Sequence, residues 1–330
     1  MRSFAEKIAI AQLPTPIHRA KRLSEKLGGP EIFIKRDDLT GMAVSGNKVR
    51  KLEYCAAEAI RQGAGVLITC GGPQSNHARG TAAVAARLGL RSHLVLGGNP
   101  EEMPEGNLFL DFLLGAEVTF APGAALLELA TTMEEVAETY RKKGIKPFII
   151  PLGASDPLGS LGYIDAMGER KTQSKEMGVD FDHVVFGSGS GGTLSGIVAG
   201  CLVHGLKCRV TAMSVAFSSE WAVEKVEEVF LGLRERYIPN LPSPAGVFSV
   251  NTGYIGGGYG KASPELIRFI RYVASSEALL VDPTYSGKAL FGLAEEIAKG
   301  TYKDEEKILF IHTGGAFGLF PYRKQFTEES

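Results

Sequence analysis

Charge imbalance, cysteine and long apolar runs are all scarce in this chain, and each shortage excludes a class of protein. Its 330 residues carry 36 Lys and Arg against 37 Asp and Glu, a net charge of -1, with no long run of either sign. Nucleic acid and anionic membrane both need a basic patch, so neither is an expected partner. No apolar stretch approaches the ~20 residues of a membrane span. The N-terminal M-R-S-F-A-E-K-I-A has no apolar core and no cleavage pattern, so a cytoplasmic location is expected. The cysteines are four, Cys55, Cys70, Cys201 and Cys208, too few for a disulfide framework in a chain of this length. Cys201, His204 and Cys208 lie close together, but their spacing fits no common zinc pattern and no H-x-x-x-H pair occurs elsewhere. No metal is expected. Internal repeats and low-complexity linkers are missing too.

What is abundant is glycine, 41 residues, which suits an α/β protein with many tight strand–helix turns. The alternation is visible along the chain. V-L-I-T-C (66–70) reads as a buried strand, G-G-P-Q-S-N-H (71–77) as a turn, and the Ala-rich stretch to Gly89 as a helix. H-L-V-L-G-G (93–98) and P-F-I-I-P (147–151) read as further strands. A second series begins at H-V-V-F (183–186), turns through G-S-G-S-G-G-T (187–193) and runs into a helix. Residues 216–262 look less regular. Such alternation predicts two α/β units of parallel strands covered by helices, meeting at a cleft with the ligand at the strand C-termini.

Three loops can carry chemistry. In S-G-N-K-V-R-K-L-E-Y (45–54), Lys48 sits between a loop freed by Gly41 and Gly46 and a helix marked by Val49, Leu52, Cys55, Ala56, Ala59 and Ile60. Ser45 or Asn47 is the expected cap. The helix dipole and Lys51, one turn on, both disfavour a proton on Lys48, which is one way to make an amine nucleophilic. The plain alternative is a pair of solvated lysines. The 187–193 loop satisfies G-x-G-x-x-G through Gly187, Gly189 and Gly192. A dinucleotide site also expects an acid about 20 residues on, and from Thr193 to Ser219 there is no Asp or Glu. With Ser188, Ser190 and Thr193 in it, the loop reads as a single-phosphate cup, with a mere tight turn as the alternative. Residues 41–48 resemble a nucleotide P-loop, but Asn47 intervenes before Lys48 and no hydroxyl follows for magnesium. The turn at 71–77 suits a carboxylate, although Ser75 and Asn76 can equally be helix caps. One activatable lysine, one phosphate cup and one carboxylate cup together point to pyridoxal phosphate acting on a small amino acid.

Six motifs, S-G-N-K-V-R-K-L-E-Y, G-G-P-Q-S-N-H-A-R, G-S-G-S-G-G-T, G-G-Y-G, D-P-T-Y-S-G-K and I-L-F-I-H-T-G-G-A, resemble the D-cysteine desulfhydrase / 1-aminocyclopropane-1-carboxylate deaminase family of pyridoxal-phosphate enzymes. They occur in family order across residues 14 to 320. The resemblance implies the tryptophan-synthase-β-like fold (fold type II): a small α/β domain, 52–160, inserted into a larger one formed by 1–51 and 161–330. It also implies a homodimer. It makes Lys48 the Schiff-base lysine and Lys51 a phosphate ligand. Ser188, Gly189, Ser190, Gly191, Gly192 and Thr193 would form the phosphate cup. Asn76 would bond the ring hydroxyl oxygen, Ser75 would lie by the substrate carboxylate, Tyr285 against the ring and Tyr259 facing the substrate.

One departure separates the branches. The deaminases carry Glu after the tyrosine of D-P-x-Y, facing the pyridine nitrogen; here the residue is Ser286. A hydroxyl from Ser286 or Thr313 leaves that nitrogen closer to neutral. The expected reaction is therefore α,β-elimination, D-cysteine to pyruvate, ammonia and hydrogen sulfide. L-Cysteate with loss of sulfite, and then 1-aminocyclopropane-1-carboxylate, are the alternatives. Lys48 is the expected α-proton base, with Ser75 or Tyr285 as alternatives. Gly153-Ala154-Ser155-Asp156 departs from the family's G-G-S-N, which leaves specificity open. From other classes, a non-catalytic binding protein is disfavoured by Lys48, and a nicotinamide dehydrogenase by the missing acid.

Overall fold

A computed structural model describes residues 4–43 and 46–328. The first elements are β1 (Ile17–Arg19), α1 (Lys21–Leu27), β2 (Glu31–Lys35) and α2 (Asn47–Arg61). Next come β3 (Val66–Gly71), α3 (Asn76–Leu88), β4 (Arg91–Gly97), α4 (Gly106–Leu113), β5 (Glu117–Ala121), α5 (Leu129–Lys142) and β6 (Pro147–Ile149). Then follow α6 (Pro157–Met177), β7 (His183–Ser188), α7 (Gly192–His204), β8 (Arg209–Ser214) and α8 (Ser219–Arg236). The chain closes with β9 (Phe248–Asn251), α9 (Pro264–Glu277), α10 (Ser286–Ala298) and β10 (Lys307–Ile311) before a C-terminal helical tail.

Two sheets result. One has the order β1-β2-β10-β7-β8-β9 and the other β5-β4-β3-β6. Every pairing is parallel except β1 with β2, an antiparallel edge that the strand–helix alternation did not foretell. Burial on both faces explains the apolar runs. Along β7, Val184 and Phe186 pack among α6, α7 and α8, while Val185 faces α9 and α10. In β10, Leu309 and Ile311 take the first face and Ile308 and Phe310 the second. Strand β3 divides likewise: Val66, Ile68 and Cys70 meet α5, and Leu67 meets α2 and α3. A period of two inside a continuous apolar run is what a sheet covered on both sides requires.

The smaller sheet lies wholly within 66–149. The boundaries 51/52 and 160/161 fall inside α2 and α6, which pack on each other and are shared between the two units. Within 216–262, expected to be irregular, stands the 18-residue helix α8. Its signal was present. Ser218 caps it through Trp221 N (3.2 Å), and Ala222, Val226, Val229, Phe230 and Leu233 form one buried stripe.

A buried ionic cluster holds α2 in place. Arg50 is essentially solvent-free; its guanidinium grips Asp37 at 2.8 and 2.9 Å and Glu169 at 2.9 and 3.0 Å. Lys35 bonds the same Glu169, and Tyr163 (2.6 Å) and Thr15 (2.8 Å) donate to Asp37. Strand β2, the turn after it, α2 and α6 are thereby joined. Burial by itself would raise the Asp37 carboxyl; the Arg50 guanidinium, helped by Lys35 and Tyr163, outweighs it and brings the carboxyl down to about 2.

Arg50→Met leaves the buried Asp37 carboxylate without its guanidinium and is expected to cost about 3–5 kcal/mol in urea unfolding. A loss within error of zero contradicts this account. Because the folded-state carboxyl lies below its ordinary 3.8, the stability from Asp37 is fully present above that value and is lost as pH falls through about 2. Asp37→Asn is expected to flatten that part of the pH–stability curve.

Candidate active site

Three strand ends converge on one cleft. Strand β3 delivers the 72–75 turn, β7 delivers the glycine loop, and β10 delivers Thr313. Helix α2 closes the floor. These strand ends and α2 bound one pocket. Lys48, Ser75, Asn76, Ser188, Gly189, Ser190, Gly191, Thr193, Tyr259, Tyr285 and Thr313 all line it. Among the described residues that line it there is no Asp or Glu. Lys51, Gly192 and Ser286 stand behind its wall.

Helix α2 starts differently from expectation. Gly46 is the N-cap and no side chain caps it; Ser45 lies outside the described residues. Gly46 is needed for close approach, since a Cβ there would lie 2.4 Å from Thr313 O. Asn47 is the first helical residue, and its amide spans the cleft floor instead: Nδ2 donates to Thr193 Oγ1 (3.0 Å) while Oδ1 accepts from Lys48 Nζ (3.2 Å). The Lys48 amine is lowered to about 8 by burial, with the Asp282 charge opposing. The cause is thus desolvation more than the neighbouring Lys51 charge. Lys51 is fully buried and lowered well below its usual value, first by burial and then by Lys48. Its ammonium bonds Gly153 O (2.6 Å) and lies under the glycine loop: a Cβ on Gly192 would come 2.6 Å from it.

The loop is built for close approach. Gly191 adopts φ +81 as the N-cap of α7, whose first N–H groups have no intrahelical acceptor. The Gly192 N–H itself donates to Ser155 Oγ (3.1 Å), and Ser155 in turn bonds Ser190 Oγ (2.7 Å). Ser155 and Asn47 therefore brace the glycine loop. Neither role is legible locally: Ser155 belongs to the 153–156 segment that leaves specificity open, and Asn47 reads as a helix cap. Ala154 beside it, where G-G-S-N has glycine, sits in the left-handed region at φ 48.

Ser75 does cap α3, accepting from Ala78 N (3.2 Å), and still faces the cleft, so the helix-cap and site readings hold together. The Asn76 amide is oriented from behind. Its Oδ1 accepts from Asn107 Nδ2 (3.1 Å) and from Arg79 (3.5 Å). Arginine can only donate, so the amide turns its N–H side to the cleft. Asn107, fully buried at the start of α4, had no local signal in the sequence. Across the cleft the Tyr259 and Tyr285 hydroxyls are 2.7 Å apart. Burial raises both, Tyr259 to about 12 and Tyr285 well above its usual value, so both stay protonated at neutral pH.

Of the two hydroxyls expected near the ring nitrogen, Ser286 and Thr313, the first is engaged elsewhere. Its hydroxyl donates toward Asp282 Oδ1 (2.7 Å) and Gly314 O (3.1 Å) and accepts from Asp282 N (2.9 Å). Asp282 also takes the N–H groups of Thr284, Tyr285 and Ser286. Ser286 thus fastens the start of α10, and the hydroxyl lining the cleft is that of Thr313. Cys201 and Cys208 face each other, while His204 Nε2 contacts Ile164 O (3.1 Å).

In cofactor-free protein, labelling of Lys48 by an amine-selective reagent is expected to rise with a midpoint near pH 8, read peptide by peptide by mass spectrometry. A midpoint above 10 contradicts the burial argument.

Residues 8–314 match the family described as "Pyridoxal-phosphate dependent enzyme". A bifunctional D-cysteine desulfhydrase/1-aminocyclopropane-1-carboxylate deaminase of Arabidopsis thaliana is 41% identical over 326 residues, covering 94% of this chain and 79% of that protein. A D-cysteine desulfhydrase of Serratia proteamaculans is 39% identical, covering 94% of each. The solved structure of an ACC deaminase homologue superposes with a TM-score of 0.90 at 37% identity, covering 98% of this chain and 96% of that one. The two sheets are those of the fold type II enzymes. The chain belongs to the pyridoxal-phosphate-dependent enzyme family.

Proposed function

We propose that the protein is a lyase that removes the β-substituent of a small amino acid, and that D-cysteine is its substrate, giving pyruvate, ammonia and hydrogen sulfide. The observation that carries this reading is the lack of any carboxylate among the described residues lining the cleft. An acid opposite the ring nitrogen would favour opening a cyclopropane; a Thr313 hydroxyl suffices when a good leaving group departs from Cβ.

The residues present fit pyridoxal phosphate. The glycine loop leaves no room for a Cβ at Gly192, and α7 aims its N-terminus into the cleft beside the buried Lys51. Ser188, Gly189, Ser190, Gly191 and Thr193 would hold the phosphate, with Lys51 supplying charge from below. Asn76 would present its N–H to the ring's oxygen, Thr313 its hydroxyl to the ring nitrogen, and Lys48 would carry the group. When bound, the cofactor supplies an aldehyde that captures the substrate amine and a ring that takes up electrons released at Cα.

The chain's own side chains do the rest. Ser75 and the α3 N-terminus bind the substrate carboxylate. Lys48 takes the proton from Cα, because its amine is the group whose affinity for a proton lies near neutrality. Tyr285 is a poor base for the same reason that it is a good donor: burial keeps its proton on. The two tyrosines share one O–H between them, leaving the other to donate to the departing sulfur. The same reading makes the protein a cytoplasmic homodimer. Among the described residues no helix is long and apolar enough to cross a membrane, and α4 exposes Phe109, Phe112 and Leu113, which helical spacing sets on one face that pairing would cover. Light scattering is expected to give twice the chain mass; a single-chain mass contradicts it.

A second reading, the deaminase, draws on the names of the Arabidopsis protein and the solved homologue. Both are separated by a panel of D-cysteine, L-cysteine, L-cysteate, D-serine and 1-aminocyclopropane-1-carboxylate, assayed for keto acid, ammonia and sulfide or sulfite. D-Cysteine is expected to turn over fastest and to release sulfide; faster ammonia release from the cyclopropane would overturn the reading. Lys48→Ala is expected to lower turnover by at least ~10³-fold and to remove the yellow absorbance of the loaded protein.

A further inference from the structure

Outside the cleft, one pair of nucleophilic side chains has no part in the reaction. Cys201 lies in the last turn of α7 and Cys208 directly precedes β8; their sulfurs are 3.6 Å apart. The backbone forces this meeting. The end of α7 turns sharply, with Gly205 in the left-handed region and Leu206 N bonded back to Cys201 O (2.9 Å). Arg209 N bonds Asp182 O (2.8 Å), which anchors the chain just after Cys208. Neither backbone needs to move far, because closing the gap to a disulfide's ~2.05 Å takes about 1.5 Å of side-chain rotation.

The two thiols differ in access. Cys201 is buried and Cys208 partly exposed, and both line an open hollow of about 420 Å³ with Asp182, His183, Lys207, Arg209 and Glu306. The hollow lies at the N-terminal edge of the larger sheet, where β7 and β8 begin, opposite the strand ends that build the cleft. A hydrogen bond from Cys201 and the charge of Arg170 hold the Cys208 thiol low against burial, which favours the thiolate that attacks oxidants. Cys55 and Cys70 are buried in separate apolar clusters.

We infer that Cys201 and Cys208 form an oxidisable dithiol that a peroxide converts to an intramolecular disulfide. The Cys208 thiolate attacks one peroxide oxygen and the O–O bond breaks, giving a sulfenic acid on Cys208 and hydroxide. The Cys201 sulfur then attacks the Cys208 sulfur and displaces its oxygen as water. In sum two thiols and one hydrogen peroxide give one disulfide and two waters, so the thiols lose the two electrons that the peroxide gains.

The test is made on the whole cofactor-loaded protein with hydrogen peroxide. Intact mass is expected to fall by about 2 Da, a tryptic digest to link the peptides of Cys201 and Cys208, and thiols titrated in denaturant to drop from the chain's four to two. A thiol reductant should reverse all three, and the non-reducing gel should show a single-chain band. Cys208→Ser and Cys201→Ser should each abolish the link. Stepwise oxygen addition to Cys208 without a linked peptide, or four thiols remaining after treatment, would overturn the inference; both are read on the unmutated protein, so a variant that fails to fold does not obscure the result.

Discussion

The bidentate grip of Arg50 on Asp37 and Glu169 is the interaction on which the rest of the structure depends. It ties strand β2, helix α2 and helix α6 together with charges that are all but excluded from water. Removing Arg50 leaves the Asp37 carboxylate buried without its ion-pair partner. Its consequence is positional. Arg50 lies between Lys48 and Lys51 in the first turns of α2, and the ~100° step of a helix turns both lysines away from the direction Arg50 takes. Fixing Arg50 in the interior therefore fixes Lys48 toward the cleft and Lys51 under the glycine loop.

The cleft then works by contrast. Its wall contains Lys48, hydroxyls, amides and glycine backbone, while the Asp282 carboxylate is held by Ser286 and three backbone N–H groups. Burial lowers the amines and raises the phenols, so a lysine can give up its proton near neutral pH while the tyrosines keep theirs. In the proposed reaction a base and a donor are thus prepared in one pocket by the same desolvation, acting on groups of opposite charge type. The positioning of Asn76 by Asn107 and Arg79 belongs to the same design, because a cleft amide held from behind can present only one edge.

Much of the chemistry was legible because it is local. A strand followed by a glycine-rich turn and a helix is a contiguous pattern, and three such turns reached the cleft where they were expected. Lys48 and Lys51 were correctly paired by helical spacing, although the charge-repulsion account of Lys48 gave way to burial. Ser286 is the instructive case. Its position in D-P-T-Y-S-G-K says that it stands beside the site, but whether its hydroxyl faces the ring or the Asp282 carboxylate depends on how α10 begins. Asn107 and Ser155 were out of reach for a related reason, since each contacts the site across a gap of more than 30 residues.

By itself the sequence determined the class of fold, through apolar runs with glycine turns, and the type of ligand, through a lysine, a phosphate-sized loop and the want of an acid after it. It also determined that Cys201 and Cys208 would be near neighbours in the chain. The tertiary structure alone decided which hydroxyl meets the cleft, which amide edge Asn76 shows, and that the two thiols face each other. The physical reason is common to all three. Chain order sets which backbone N–H groups cluster at a turn, but the direction of a side chain is set by partners from other elements, and those partners are brought up only when the sheets close on their helices.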